Sequence, residues 1–340
     1  MSSSLASALS ERRAVVTLGM FIIDEFSYTD AEGNPTGQTR KPEIGGGGTY
    51  AGIGARIWLP ASEIGMIVDA GADFPSDIRA ELDAFGSDMW RFRPSSQGTT
   101  RAINKYKGEL RDFEYLTPRI RITPRDLVGT PLAEPRTLHF ICSPQRAHVI
   151  VSELKELNWA PITVYEPIPY RCVPEQLPAL INVLPDVHIL SPNAEEALAL
   201  LSISEPVSRE TIEQAARRFV DFGIGPDAKG HVVIRSGALG CYVMSRDRPG
   251  EWIAAYHKSQ STVVDVTGGG NSFLGGLAAG LKLAKGDVYK AVLYASVSAS
   301  FVIEQFGLPK LSKRASANDD GETEEWNGDS PHRRLQAYKK

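Results

Sequence analysis

Residues 263–273 read V-V-D-V-T-G-G-G-N-S-F, and the glycine run in the middle decides how the chain is read. A short apolar run ends near Val264, and Phe273, Leu277 and Leu281 then recur at helical spacing, which predicts a helix from about Asn271. Glycines between the two can take positive φ and turn successive N–H groups to one side. The first N–H groups of a helix have no partner inside it and lie at its positive end. A strand, a glycine turn and a helix start together make an anion site, suited to phosphate or to the charge that develops in phosphoryl transfer. The same pattern also serves a tight strand-to-helix turn that holds no ligand.

Outward from this loop, apolar runs alternate with amphipathic ones. Strands are read at 14–24, 63–68, 137–142, 161–166, 187–191 and 231–236. Helices are read after the glycines of 45–48, at 147–157, 194–201 and 210–222, after Gly270, and near Asp287. Runs so continuously apolar suit strands covered on both faces. The alternation predicts an α/β fold, a doubly wound and mostly parallel sheet with helices on both faces. Polar excursions at about 25–44 and 95–118 interrupt it and are expected to pair into a small β-lid over the carboxyl edge of the sheet. The expected organisation is a flexible N-terminus at 1–13, one domain at 14–311, a charged loop at 312–329 and a C-terminal helix at 330–340.

Net charge is −4, which argues against nonspecific binding to nucleic acid or to acidic membranes. No window approaches the roughly 18 apolar residues of a membrane span, and the start has no apolar stretch of signal-peptide length. Cys142, Cys172 and Cys241 form no C-x-x-C pair, and their odd count suits buried thiols in a reducing, cytoplasmic compartment. The six histidines are too scattered for a metal site. A G-x-G-x-x-G turn is missing after the first strand, which argues against a dinucleotide dehydrogenase.

The glycine stretch resembles the second signature of the pfkB (ribokinase-like) carbohydrate kinase family, D-T-T-G-A-G-D-A-F. Asp265, Thr267, Gly268, Gly270 and Phe273 match in register, Gly269 replaces an alanine, and Asn271 stands where the family has its second aspartate. Gly19 and Asp24 resemble the family's first-strand glycine and the aspartate that faces substrate hydroxyls. Gly45 to Ala55 resembles its N-terminal glycine signature, with Tyr50 or a neighbour in place of the usual asparagine. Asn193 and Glu196 are similar to its N-x-x-E motif, a pattern that a plain helix cap also produces. Gly237 and Gly240 resemble its nucleotide-side G-x-x-G turn, preceded by Arg235 where a threonine is common. These matches run from about residue 15 to 309.

The resemblance implies ATP and Mg²⁺ as cofactors. It implies an anion hole at Gly268, Gly269 and Gly270, with Asn271 at the base position. Substrate contacts would come from Asp24, Gly46, Gly47, Thr100, Arg101 and Asp265, with Asn104 also in the lid. Nucleotide contacts would come from Asn193, Arg235, Gly237, Gly240 and Thr267, and Glu196 would meet Mg²⁺ through water. The partner implied is a small sugar or nucleoside-like molecule, and the lid offers a surface for a homodimer.

An aspartate at position 271 would accept the proton of the attacking hydroxyl. Asn271 can hydrogen-bond that hydroxyl but cannot take its proton. General-base help is worth roughly 10²–10⁴ in rate. The expectation is therefore an ATP-dependent kinase of a sugar-like hydroxyl with impaired activity, in which Asn271→Asp raises transfer about tenfold or more. The alternative is a pseudokinase that binds nucleotide or metabolite and acts through protein partners. The G-G-G-N-S-F variant and the closing segment also resemble a fungal branch of the family, of the kind implicated in maintaining a double-stranded RNA killer virus.

Overall fold

The computed structural model describes residues 12–107, 110–315 and 322–339. Nine strands make its main sheet. They are β1 (Val15–Thr17), β4 (Ile64–Ala70), β5 (Trp90–Pro94), β8 (Thr137–Cys142), β9 (Ile162–Pro167), β10 (Ile189–Leu190), β11 (His231–Arg235), β12 (Cys241–Ser245) and β13 (Glu251–Ile253). Their order across the sheet is β13-β12-β11-β10-β9-β8-β1-β4-β5. Pairing is parallel from β5 to β11 and antiparallel for β12 and β13.

The period-two alternation of strand side chains explains why these strands are apolar on both faces. Val16, Ile67, Tyr165, Leu190, Val232 and Ile234 enter the core on one face. Their neighbours Val15, Met66, Val68, Val164, Ile189 and Val233 enter the cores on the other. The first face is covered by α3 (Pro144–Glu156), α4 (Leu177–Val183), α5 (Ala194–Leu200) and α6 (Arg209–Asp221). The second is covered by α1 (Gly47–Arg56), α2 (Ser76–Ala84), α7 (Gly269–Leu283) and α8 (Val288–Val302). The helices α1 and α7 pack backbone to backbone, because a side chain at Gly54 would overlap Ser272 O and one at Gly275 would overlap Ala51 O. That close approach fixes the start of α7 against the glycines that open α1.

The run expected as one strand at 14–24 is broken. Thr17 Oγ1 accepts from Gly19 N at 3.0 Å and ends β1. The chain then passes beneath α1, where a Cβ on Gly19 would lie 2.6 Å from Gly48 Cα. It continues as β2 (Ile22–Thr29) in a separate four-stranded sheet with β3 (Glu43–Gly45), β6 (Arg101–Lys107) and β7 (Leu110–Tyr115), ordered β3-β2-β6-β7. This is the expected lid. Its two excursions meet through a parallel β2–β6 ladder on which Tyr28 and Tyr106 stack at 5.0 Å.

Most of the expected N-terminal segment, residues 1–11, lies outside the described residues. The segment read as a charged loop at 312–329 is ordered differently. It holds an antiparallel pair, β14 (Leu311–Ala315) and β15 (Glu322–Trp326). Charges alone misread it, because Trp326 is 1% exposed and stacks on Phe85 at 5.8 Å. Arg56 Nη1 also reaches Glu324 Oε2 at 2.6 Å, which anchors β15 to the end of α1. Then α9 (Pro331–Tyr338), capped by Ser330, packs Leu335 into the same core.

Candidate active site

At the start of α7, Gly268 is the N-cap with φ 77°, a left-handed conformation that favours glycine. The ring of Tyr50 lies on Gly268 so closely that a Cβ there would overlap it. Asp265 Oδ1 accepts from Thr267 N at 2.9 Å and holds the turn before it. Burial pushes the Tyr50 phenol up, and the carboxylates of Asp24 and Asp265 push it further, so both acids lie near that ring. Asp24 in β2 rests against Gly45, where any side chain would strike its carboxylate. Gly46, at φ 93°, caps α1, and Gly47 opens it. A Cβ on Gly47 would sit 3.0 Å from Asn271 Nδ2, so α1 and α7 meet end to end at residue 271.

Asn271 has a partner that its own stretch of sequence does not name. Its Nδ2 donates to Glu166 Oε2 at 2.8 Å. Glu166 lies near the end of β9 and is 5% exposed. Its other oxygen meets Arg235 Nη2 at 2.7 Å. Buried His139 brings Nε2 to 3.8 Å from Glu166, while its Nδ1 lies 2.9 Å from Thr17 Oγ1. Burial raises the Glu166 carboxyl, but Arg235 and His139 outweigh it and leave it below the ordinary carboxylate value. A buried, ionised carboxylate therefore lies directly behind the amide of Asn271.

Arg235 joins this cluster to the Gly237–Gly240 turn. It ends β11, and Asn193 pairs with it as a parallel bridge. Its Nη1 lies against Gly270, where a side chain would overlap it. Its Nη2 also lies 3.6 Å from Glu196 Oε2. Glu196 and Asn193 form a reciprocal cap on α5, with Asn193 N donating to Glu196 Oε2 at 2.7 Å and Glu196 N to Asn193 Oδ1 at 2.8 Å. The N-x-x-E pattern is thus a helix cap that also faces the site.

For Mg²⁺, the donor set fits poorly as a resident site. Mg²⁺ is usually held by one or two carboxylates together with phosphates. Arg235 already lies between Glu166 and Glu196, and no group of three His, Cys, Asp or Glu among the described residues could hold a metal.

Burial pushes the Glu196 carboxyl up to about 7, against the opposing effects of Arg235 and the Asn193 N–H. A carboxyl raised on folding gives its full contribution below the unfolded value of about 4.5, and loses it as pH rises toward 7. Glu196→Gln keeps the cap geometry and removes the titration. It is expected to flatten the stability profile between about pH 4.5 and 7 and to raise stability at pH 8 by roughly 1–3 kcal/mol. Urea denaturation across that range checks it. An unchanged slope would rule out Glu196 as the titrating group.

The next cleft begins at the Gly237–Gly240 turn, where Gly237 has φ 53° and Gly240 φ 91°. Arg235, Gly240, His257, Gly270, Phe273 and Ile303 are among the residues lining it. One wall is largely apolar, and the glycine backbone and Arg235 lie at one end. His257 is fixed there by Ser300 O at 3.2 Å and Glu304 Oε1 at 3.3 Å.

The lid residues fall differently. Thr100 is 3% exposed and Asn104 2% exposed, so both are packed inside the lid. Arg101 bridges Glu25 at 3.0 Å and Asp73 at 3.3 Å, holding β6 to β2 and to the main body. The structure thus brings together Asn271, Gly268, Gly269, Gly270, Gly47, Asp24, Asp265, Arg235 and Glu196, while Thr100 is buried and Arg101 is engaged by Glu25 and Asp73. Glu166 and His139 were missed in the sequence. Their only signal was a lone charged or polar residue inside a strand that is otherwise apolar.

Comparison with known proteins agrees with this fold. The sequence model described as pfkB family carbohydrate kinase matches residues 141–313. Protein MAK32 of Saccharomyces cerevisiae is 37% identical over 350 residues, spanning 95% of this chain and 91% of that protein. Among solved structures, Anopheles gambiae adenosine kinase in complex with a di(adenosine) tetraphosphate superposes with TM-score 0.67 at 16% identity, over 87% of this chain and 97% of that one. Arabidopsis thaliana ribokinase complexed with ribose and ATP superposes with TM-score 0.63 at 16% identity, over 87% and 94%. No described helix is long and apolar enough to cross a membrane.

Proposed function

Because the chain belongs to the pfkB family of carbohydrate kinases, we propose that it binds ATP in the cleft beside Gly237 and Gly240 and presents a hydroxyl of a small sugar-like molecule to Asn271. Phosphoryl transfer there is slow. The apolar wall of Phe273 and Ile303 suits a purine, and the glycine turn at Gly268–Gly270 with Arg235 suits the phosphates.

The hydrogen bond from Asn271 to Glu166 carries the slow-transfer part. It commits one of the two amide N–H groups to Glu166 and sets Oδ1 as the acceptor a substrate hydroxyl would meet. Oδ1 can align that hydroxyl but cannot take its proton. Glu166 could take one, but it lies behind the amide and Arg235 keeps it a weak base. Positioning and the anion hole remain, so transfer falls by roughly 10²–10⁴ rather than to nothing. Arg235 already supplies a cation between the two carboxylates.

Thermal unfolding with ATP tests the binding half. A ligand present at about 100 times its Kd stabilises by about 2.7 kcal/mol. Millimolar ATP is expected to raise Tm, and the rise is expected to persist in EDTA because Arg235 needs no metal to meet phosphate. No shift with ATP, with or without Mg²⁺, would sink the nucleotide reading.

A second reading is favoured by the same pair of residues, Asn271 in place of the base and Arg235 between the carboxylates. In it the chain binds nucleotide without turnover and acts through protein partners. Detectable ADP release that depends on a sugar-like acceptor selects the first reading, and its absence alongside tight ATP binding selects the second.

A further inference from the structure

A second cavity opens on the other side of Gly47, between the carboxyl edge of the main sheet and the lid. Four arginines line it: Arg119, Arg121, Arg146 and Arg171. No Asp or Glu is among its lining residues. The arginines come from three segments that follow strand ends, after β7, after β8 and after β9. Ligands of open α/β sheets bind at this edge. None of the four has an ion pair with a carboxylate among the described residues, although most other arginines of this chain do. Arg119 Nη1 donates to the neutral Tyr170 hydroxyl at 2.8 Å, and Arg171 stands 5.9 Å from the same ring. Burial pushes the Cys142 thiol up to about 12 while Arg146 and Arg121 pull it down, so both cations converge on the same strand end.

Four uncompensated guanidiniums in one cavity are unusual in a chain of net charge −4. Arg119, Arg121 and Arg171 are exposed and Arg146 is half-buried, so water solvates them when the cavity is empty, and an anion entering it meets four cations and no carboxylate. Guanidinium forks match phosphate oxygens in pairs. The cavity reaches Gly47, which faces Asn271, so a ligand held by the arginines at one end extends toward the site of transfer at the other.

We infer that the molecule presented to Asn271 is itself a phosphomonoester, a sugar phosphate whose existing phosphate is held by Arg119, Arg121, Arg146 and Arg171. This rests on the phosphotransfer reading of the same site and narrows it from a neutral sugar to a dianionic one. The reaction class that supplies such a substrate is a prior phosphorylation of a sugar, or release of a sugar phosphate from a nucleotide.

The test is calorimetric binding to the full chain, with ribose 5-phosphate and fructose 6-phosphate as probes, against ribose, fructose and inorganic phosphate. The expected result is that at least one sugar phosphate binds roughly 30-fold or more tightly than its parent sugar. Arg121→Ala with Arg146→Ala is expected to weaken that binding about 30-fold or more, with the ATP-induced rise in Tm unchanged. Arg171→Glu, at the exposed rim, supplies a second variant that does not disturb packing. Equal binding of sugar and sugar phosphate overturns the inference, as does binding that both variants leave intact. Displacement of the sugar phosphate by ATP alone would place it in the nucleotide cleft and overturn it too. An ATP shift with no sugar-phosphate binding defeats this inference and leaves the nucleotide reading standing. Sugar-phosphate binding with no ATP shift sinks the nucleotide reading and the phosphotransfer role that rests on it, and leaves only a sugar-phosphate site at the arginines.

Discussion

Exchanging the carboxylate between two positions, Asn271→Asp together with Glu166→Gln, is expected to raise phosphoryl transfer by roughly 10²–10⁴ over the natural chain. Asn271→Asp alone, from which the sequence led us to expect a gain of about tenfold or more, is expected to gain less than that beside Glu166. The difference lies in the 2.8 Å contact between Asn271 Nδ2 and Glu166 Oε2. With aspartate alone, two buried carboxylates would face each other at hydrogen-bond distance. Like charges so placed force one of them to hold a proton. The single variant is therefore expected to lose stability, and to recover it on acidification, because a carboxyl raised on folding contributes most below its unfolded pKa. The exchange removes the conflict at constant net charge. The amide then at position 166 can donate to the carboxylate then at position 271 while its oxygen still accepts from Arg235. That carboxylate faces the hydroxyl as a proton acceptor. Turnover of the three proteins with one acceptor, alongside their Tm values, checks this. An exchange variant no faster than the natural chain would show that loss of the base is not what limits transfer.

Removing Glu166 altogether is expected to cost more stability than any other single change near the site. Glu166→Ala leaves Arg235 with Glu196 at 3.6 Å and the Ser191 carbonyl at 3.2 Å, and leaves Asn271 Nδ2 without its acceptor. Deleting one partner of a buried ion pair costs about 3–5 kcal/mol, because the other charge remains buried. Chemical denaturation measures this directly. A loss below about 1 kcal/mol would mean that water replaces the carboxylate and that the Glu166–Arg235 pair holds little of the fold together. Glu166→Gln should lose much less than Glu166→Ala, since its oxygen still accepts from Arg235.

The parts of this architecture written in local pattern were legible in the sequence. The glycine turn announced the start of α7, and apolar runs announced the strands of the buried sheet. The polar stretches at 25–44 and 95–118 announced a lid because they broke the alternation. The cap at Asn193 and Glu196 was visible for the same reason, since both partners lie within one helical turn. Interactions between distant residues were not legible. Glu166 and Asn271 are separated by 105 residues, and nothing local to either indicates the other. The cavity arginines are spread from Arg119 to Arg171 over three segments, and nothing local to any one of them indicates the others. The β14–β15 pair was misread because its charges were visible while the docking site of Trp326 was not. Arg101 matched a plausible substrate contact, but its ion pairs with Glu25 and Asp73 depend on a lid register that composition does not reveal.

The contact between Arg56 and Glu324 joins residues 268 positions apart, and Arg56 is 7% exposed. During synthesis at about 5–20 residues per second, α1 is made well before its counter-ion exists. Until β15 emerges, the guanidinium of Arg56 must stay hydrated or be buried without its carboxylate. The same C-terminal segment brings Arg334 to Glu304 at 2.8 Å, and Glu304 in turn holds His257 in the cleft beside Gly240. A chain halted before residue 322 would thus lack both clasps. The segment from Glu322 onward is therefore a latch that is made after the layers it closes.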